Sequence, residues 1–593
     1  MIPAGTVLLH DNSPKAGRSL LFEHPERMLT TRDASFAKDL IAEAETAIAD
    51  GWHVAGYLSY ELGHAFEDRL SPLLPGLSQR PLLWLGIYGP PRELKREEID
   101  AWLAGHAEAE PARVTDVELS MSRADYAEAF EKVMEYIRAG DAYQINLTFL
   151  ARFRLDGDPV ALYRELCKKQ PVAHGALINT GKDLILSLSP ELFIERRGER
   201  IVTRPMKGTI RRGTDAAEDE ALKAQLLADE KSRAENLMIV DLLRNDLGRV
   251  ADMGSVEVER LFEIETYKSL HQMTSTISAN LRDDAKLGSI LQALFPCGSV
   301  TGAPKIRAMQ IINEVESGPR GVYCGSIGYA APDGDFSFNV AIRTAHIADG
   351  HGEIGIGGGI VADSRLAAEY DEALLKLKFF KEPHMPLGLI ETLRFDEHGF
   401  YLLERHLERL ETSAAFFEIP FSAAKARAVL EEAVSRAVEK EAQRVRLVLD
   451  DSGALSAKSA TLAAMHMLRF VIADRRMDSS NPLLAHKTTE RAIYDEPREQ
   501  AIRDFGVDEV VFLNERGELT EGSFTNLFVE KGGALLTPAL SCGLLPGTLR
   551  AQLIANGKTK EAVLTAGDLD TAGKIFLGNS VRGLVEAHWQ KES

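Results

Sequence analysis

Several residues in this 593-residue chain have the type and spacing to do chemistry. Lys207 lies in Arg204-Pro205-Met206-Lys207-Gly208-Thr209, where a proline and a glycine bracket a lone cation, and the pattern predicts a stiff turn. An amine held there is a candidate nucleophile, although an isolated lysine most often just faces water. Glu369, Glu372 and Lys376 fall at i, i+3 and i+7 of a predicted helix over 366–380, so two carboxylates and an ammonium share one face. Glu235 opens another helical pattern, and with Glu372 it could offer Mg²⁺ the hard oxygen ligands that this ion takes alongside water and substrate. Arg343, on a predicted strand over 337–346, suits a bidentate clamp on a carboxylate, with a buried structural pair as the alternative.

Two glycine-rich runs invite comparison with phosphate loops. Gly298-Ser-Val-Thr301-Gly-Ala-Pro-Lys305 lacks the Gly-Lys-Ser/Thr ending of a P-loop, and Gly355-Ile-Gly357-Gly358-Gly359-Ile360 has isoleucine where a dinucleotide fingerprint needs its third glycine. No nucleotide site is expected. A net charge of −20 disfavours nucleic acid, and with 45% hydrophobic and 27% charged residues there is no apolar run long enough to span a bilayer. Four scattered cysteines argue against a disulfide framework or a zinc ribbon, and none sits in a glutaminase-type elbow, so nitrogen must come from elsewhere. The first residues show no secretory signal, which makes the cytoplasm the expected setting.

The elements that would position these residues are mixed α and β. Apolar strands are predicted at 52–60, 81–88 and 183–189, and a helix at 233–247. Two prolines after the 366–380 helix mark 381–388 as a linker, dividing the chain into 1–380 and 389–593.

Several blocks in order resemble aminodeoxychorismate synthase component I, a chorismate-using enzyme. They are Gly140-Asp-Ala-Tyr-Gln144-Ile-Asn-Leu-Thr148, Ser189-Pro-Glu191-Leu-Phe193, the Lys207 run, Ala234-Glu235 through Asn245-Asp246, Gly298 to Lys305, Gly357-Gly358-Gly359, and Glu369-Tyr-Asp-Glu372-Ala-Leu-Leu-Lys376. The resemblance implies two packed β-sheets with surrounding helices and a magnesium-dependent amination of chorismate. It implies Lys207 as the nucleophile at C2, Glu191 as the acid that protonates the departing C4 hydroxyl, and His271 and Thr209 as groups orienting it. It places Gln144 where water-adding relatives carry a lysine, and makes Glu235, Glu369 and Glu372 the metal carboxylates. Arg343, Tyr323, Thr301, Gly357, Gly358, Gly359 and Lys376 would line the chorismate pocket. Related anthranilate synthases carry alanine at the Lys207 position. Ammonia would come as such or from a separate glutamine amidotransferase subunit.

From Leu389 onward, Ile390-Glu391-Thr392-Leu393-Arg394, Arg405-His406-Leu407-Glu408-Arg409, His486-Lys487-Thr488 and Leu519-Thr520-Glu521 through Asn526 resemble the fold-type IV pyridoxal 5'-phosphate (PLP) enzymes, among them aminodeoxychorismate lyase and branched-chain aminotransferase. This implies a two-lobed domain, Lys487 as the cofactor-binding and proton-moving lysine, Glu521 at the pyridine nitrogen, and Arg409, Thr548 and Ser580 at the phosphate. It also suggests pairing of two copies through this domain. The linker leaves little room for the family's opening strands, so a shortened small lobe is expected. The implied activity is 4-aminobenzoate synthesis, chorismate amination followed by elimination of pyruvate. The alternatives are a branched-chain or D-amino-acid aminotransferase behind the synthase, a non-catalytic rear module, or an anthranilate synthase-like front.

Overall fold

The structure, a computed structural model, describes all residues except 1, 14–17, 75–76, 79, 109–111, 214–215, 268–269, 382–387, 418, 436–440, 464, 466 and 592–593. The expected linker thus lies almost wholly outside the described residues. Two compact units emerge: residues 1–210, 225–266 and 271–384 form the first, and 211–224, 267–270 and 385–593 the second.

The first unit is built on two ten-stranded sheets. In one, the long strand Gln144–Asp156 pairs with His351–Ile360, and the order continues through Thr344–Ala348, Leu184–Ser189, His174–Asn179 and Thr6–His10. The other runs from Met206–Arg211 through Leu270–Asn280, Arg200–Arg204, Leu192–Arg197, Phe336–Asn339, Ser326–Ala330 and His53–Leu58 to Leu83–Tyr88 and Arg27–Thr31. The strands expected at 52–60, 81–88 and 183–189 are present, with ends a residue or two shorter. Val7, Ala176, Ile178 and Ile185 from the first sheet meet Tyr57, Trp84 and Ile327 from the second in one buried cluster, which is where the sheets face each other. Helices cover the outer faces, among them Glu230–Gly248 against the second sheet's core and Leu366–Lys381 against the first.

Two expectations need correction. The 337–346 strand is two strands in different sheets, Phe336–Asn339 and Thr344–Ala348, and the chain crosses between them with Arg343 at φ 50°. Lys207 is not in a turn but on the strand Met206–Arg211, whose hydrogen-bonding partner lies some sixty residues on in Leu270–Asn280.

In the second unit a four-stranded sheet, ordered Gly399–Phe400, Leu389–Asp396, Gln443–Leu449, Leu455–Thr461, packs its apolar face on the helices Leu403–Phe416 and Ala423–Val434. An eight-stranded sheet carries Glu509–Asn514, Leu519–Gly522, Asn526–Lys531 and Lys574–Asn579. The two lobes join beside Lys487, whose carbonyl accepts the Ile390 N–H at 2.8 Å. Among the described residues no helix is long and apolar enough to cross a membrane.

Candidate active sites

In the first unit the site forms between the two sheets. After Lys207, Gly208 takes φ +83°, and a Cβ there would lie 2.8 Å from Ser232, so only glycine lets the strand approach the helix Glu230–Gly248 this closely. That helix begins where Asp229 accepts the Ser232 N–H at 2.7 Å, which places Glu235 in its second turn. Across the cleft, Lys207 Nζ is 3.3 Å from the position a Cβ on Gly359 would take, with the Gln144 amide 3.2 Å from the same point. Burial pushes the Lys207 ammonium below the ordinary lysine value; Lys376 adds to this, while Glu235, Glu191 and Glu372 oppose it.

Glu191 occupies the crossing from Leu184–Ser189 in one sheet to Leu192–Arg197 in the other. Its N–H donates to Ser189 Oγ at 3.2 Å, and its carbonyl accepts the Val340 N–H at 3.0 Å, which ties this crossing to the one that holds Arg343. Burial pushes the Glu191 carboxyl up to about 7, against the opposing pull of Ser299 and Lys207. Its Oε1 has no partner among the described residues, and the same holds for both polar atoms of the buried Gln144 side chain. Polar groups left buried without protein partners are costly unless a ligand satisfies them.

The helix Leu366–Lys381 presents Glu369, Glu372 and Lys376 together: a Cβ on Gly358 would lie 3.5 Å from Glu369 Oε2, 3.7 Å from Lys376 Nζ and 3.9 Å from Glu372 Oε1. Lys376 donates to the Gly357 carbonyl at 2.8 Å and pairs with Glu372 at 2.9 Å, while Ser364 donates to Glu369 Oε1 at 2.7 Å. Burial raises the Glu235 carboxyl, and Glu369 and Glu372 push it further in the same direction. Glu372 is held ionised by Lys376 and Lys207 although burial opposes this. Among the described residues no group of three or more His, Cys, Asp or Glu side chains is placed to hold a metal ion by itself. Mutually repelling carboxylates around a cleft do fit an open Mg²⁺ site completed by water and substrate.

The other expected residues are distributed unevenly. His271 is fully buried with Nδ1 3.0 Å from Thr266 Oγ1, and Thr209 is exposed, its hydroxyl donating to Gln272 Oε1 at 3.3 Å. The Tyr323 ring fills the place of a side chain at Gly355, with its Cδ1 2.0 Å from the ideal Cβ point. Thr301 proves to be a loop-former: its hydroxyl donates to the Cys297 carbonyl at 3.1 Å and its carbonyl accepts the Asn146 N–H at 2.8 Å. Arg343 donates to Gln170 Oε1. Gln272 and Ser364, which hold Thr209 and Glu369, carried no recognisable signal in the sequence, while Ser299, which holds Glu191, stood in the quoted Gly298 to Lys305 run without an assigned role.

In the second unit Lys487, Glu521, Arg409, Thr548 and Ser580 line one cavity of about 720 Å³. Lys487 Nζ donates to Thr392 Oγ1 at 3.2 Å, and burial pushes it down to about 7, helped by Arg409, Arg491 and Arg446 and opposed by Glu391. Glu521 accepts the Leu545 N–H and the Tyr494 hydroxyl, both at 3.0 Å, yet burial still pushes it up to about 8. A buried carboxyl in that condition fits a missing cationic neighbour such as a protonated pyridine nitrogen.

At the other end, Arg409 is clamped on Glu391, Nε to Oε1 at 2.9 Å and Nη2 to Oε2 at 2.7 Å, with Nη1 on the Pro546 carbonyl at 3.2 Å. Glu391 also accepts from His406 Nδ1 at 2.5 Å, so Nε2 of that ring is the acceptor for Ser580 Oγ at 2.9 Å and Thr548 Oγ1 at 3.2 Å. Two hydroxyls, a guanidinium and the start of the helix Thr548–Ala555 make an anion cup. A Cβ on Gly547 would lie 1.7 Å from Asn526 Oδ1, which accounts for glycine at that approach. Glu391 and His406, which organise this cup, stood in quoted motifs without an assigned role.

Residues 7–382 match the family of chorismate binding enzymes, and residues 388–588 match the class IV amino-transferases. The chain belongs to the chorismate binding enzyme family, with a class IV amino-transferase domain behind it. Aminodeoxychorismate synthase component 1 of Klebsiella aerogenes is 40% identical over 342 residues, 54% of this chain and 75% of that protein. Anthranilate synthase component 1 of Streptomyces coelicolor is 38% identical over 363 residues, 54% of this chain and 71% of that one. The crystal structure of anthranilate synthase component I from Streptococcus pneumoniae aligns with a TM-score of 0.54 at 25% identity, covering 64% of this chain and 93% of its own. The chain is therefore an enzyme that joins an aminodeoxychorismate synthase-type part to a class IV amino-transferase part.

Proposed function

We propose that this chain makes 4-aminobenzoate from chorismate in two steps, amination in the first unit and elimination of pyruvate in the second. The observation that carries the first step is the pairing of a lysine amine biased toward neutrality with a carboxyl biased toward protonation across one buried cleft. Neutral Lys207 Nζ attacks ring carbon C2, the double bond shifts, and the C4 hydroxyl leaves as water with the proton that Glu191 holds. Ammonia then adds at C4, and the returning electron pair expels Lys207, leaving 4-amino-4-deoxychorismate. Gln144, an amide that cannot act as a base, gives no activation to water at C2. Glu235, Glu369 and Glu372 would hold Mg²⁺, whose charge would bind a substrate carboxylate. Lys207 also favours this reading over an anthranilate synthase, whose relatives are almost equally similar overall.

For the second step, Arg409, Thr548 and Ser580 would hold the phosphate of PLP and Glu521 its ring nitrogen. The cofactor supplies an electron sink for a carbanion beside the bound amine. Lys487, held near neutrality, takes the proton from the ring carbon that bears nitrogen and returns one as pyruvate departs. Four free cysteines fit a reducing cytoplasm.

The test is to mix the purified chain with chorismate, ammonium and Mg²⁺ and follow 4-aminobenzoate and pyruvate with and without PLP. Both products should form with PLP, and Lys487→Ala should accumulate 4-amino-4-deoxychorismate. Absence of any aminated product from chorismate and ammonium would overturn the reading.

A further inference from the structure

One deeply buried acid of the second unit has no part in the steps above. Glu509, fully buried at the start of the strand Glu509–Asn514, has both carboxylate oxygens engaged. Oε1 accepts the Val510 N–H at 3.0 Å, the Ser523 N–H at 3.1 Å and the Ser523 hydroxyl at 2.5 Å. Oε2 accepts the Phe524 N–H at 3.3 Å and the Thr525 hydroxyl at 3.1 Å. All but the Val510 N–H come from the turn 523–525, which joins the strands Leu519–Gly522 and Asn526–Lys531 and lines the cavity. Arg498 Nε stays 3.9 Å from Oε1 and donates instead to the Asp508 carbonyl at 3.1 Å. Burial pushes the Glu509 carboxyl up, while Ser523, the Val510 N–H, Arg498 and the Phe524 N–H oppose it. A buried carboxylate held by hydrogen bonds alone costs more than an apolar side chain of similar volume, so what it contributes here is geometry.

The turn so clasped carries Glu521 on one side and Asn526 on the other, and the strand register sets these two residues opposite each other. The Gly522 N–H donates to the Thr525 carbonyl at 2.7 Å, closing the turn. A Cβ on Gly522 would lie 2.4 Å from Thr525 Oγ1 and 3.1 Å from Glu509 Oε2, so the closure leaves no room for a side chain. Oε1 of Glu521 is held from outside the turn, by the Leu545 N–H and the Tyr494 hydroxyl. Oε2 depends on the turn: its partner is Asn526 Nδ2 at 3.3 Å, and the same amide donates to the Leu545 carbonyl at 3.2 Å. If the turn relaxes, Asn526 shifts and one of the two Glu521 oxygens loses its hold.

We propose that Glu509 is a positioning residue of the second site: by clasping the turn 523–525 it fixes the Glu521 carboxylate in the orientation that meets the ring nitrogen of the cofactor. Glu509 acts through Glu521 and touches neither cofactor nor substrate. An anchor made of five hydrogen bonds to one rigid carboxylate suits this task, since a supporting shell that lets the acid drift by an ångström would forfeit most of its interaction with the ring. The inference rests on the reading of this cavity as a PLP site, and it adds a residue to the machinery of that site.

Equilibrium binding to the full chain separates this role from general support of the fold. The probes are PLP and its analogue with C–H in place of the ring nitrogen. The parent should hold PLP about tenfold or more tightly than the analogue, the size of one charge-assisted hydrogen bond. In Glu509→Gln the amide keeps an acceptor at Oε1 but turns an N–H toward the Phe524 N–H, and the preference for PLP should shrink by about threefold or more while the analogue's affinity is held. A purely structural role would weaken both probes alike. An unchanged ratio of the two affinities in Glu509→Gln would overturn the proposal and leave the PLP reading standing. If that variant binds neither probe, Thr525→Val, which removes one hydroxyl from Oε2 at nearly constant volume, decides by the same ratio. A parent that binds no PLP overturns the cofactor reading, one that binds both probes equally overturns the role of Glu521, and in either case the proposal falls too.

Discussion

Replacing Glu191 by glutamine should change the pH dependence of stability by a calculable amount. In the fold the carboxyl is raised to about 7 from an ordinary 4.5 because it is buried with one oxygen unpartnered. Below pH 4.5 both folded and unfolded forms are protonated. Above it the unfolded chain ionises freely, while the folded one does so only as pH passes 7. Stability from this group is therefore present at low pH and lost as pH rises from 4.5 to 7, a change of about 3 kcal/mol at 1.36 kcal/mol per decade. Glutamine fills the same volume and does not titrate, so Glu191→Gln should gain about 2–3 kcal/mol relative to the parent between pH 5 and pH 8. Urea denaturation of both proteins at the two pH values, followed by tryptophan fluorescence, measures the double difference. Amination by the parent should fall above pH 7 as the acid ionises, and the variant should show little activity at any pH. A stability difference that does not move with pH would refute the protonated carboxyl, and with it the role of Glu191 as leaving-group acid.

Lys207→Ala should abolish the para product and allow ammonia to reach C2, giving detectable anthranilate by chromatography. Gly359→Ala would place a methyl carbon 3.3 Å from Lys207 Nζ and 3.2 Å from the Gln144 amide, so amination should drop by tenfold or more, about 1.4 kcal/mol of lost positioning, while PLP binding is unaffected. Glu391→Ala would leave the Arg409 cation without its counter-ion in a buried setting, at a cost of about 3–5 kcal/mol. That variant should show weaker PLP retention in dialysis and a lower thermal midpoint than Glu391→Gln, which preserves part of the hydrogen bonding.

Legibility from sequence depended on whether a residue's environment is local. The face shared by Glu369, Glu372 and Lys376 follows from helical periodicity alone, and all three do meet at Gly358. Lys207 looked like a turn residue because proline and glycine dominate its neighbourhood, whereas its strand is stabilised by a partner some sixty residues away that local pattern cannot reveal. Arg343 illustrates a different failure. Alternation continues smoothly through 337–346, yet the chain changes sheets there, and the left-handed residue that makes the change is an arginine, with no glycine or asparagine to announce it. Glu391 is subtler still. A glutamate beside threonine on a short strand reads as solvated, and only the fold reveals Arg409 and His406 converging on it. What these cases share is that charge inside a protein becomes interpretable through its partners.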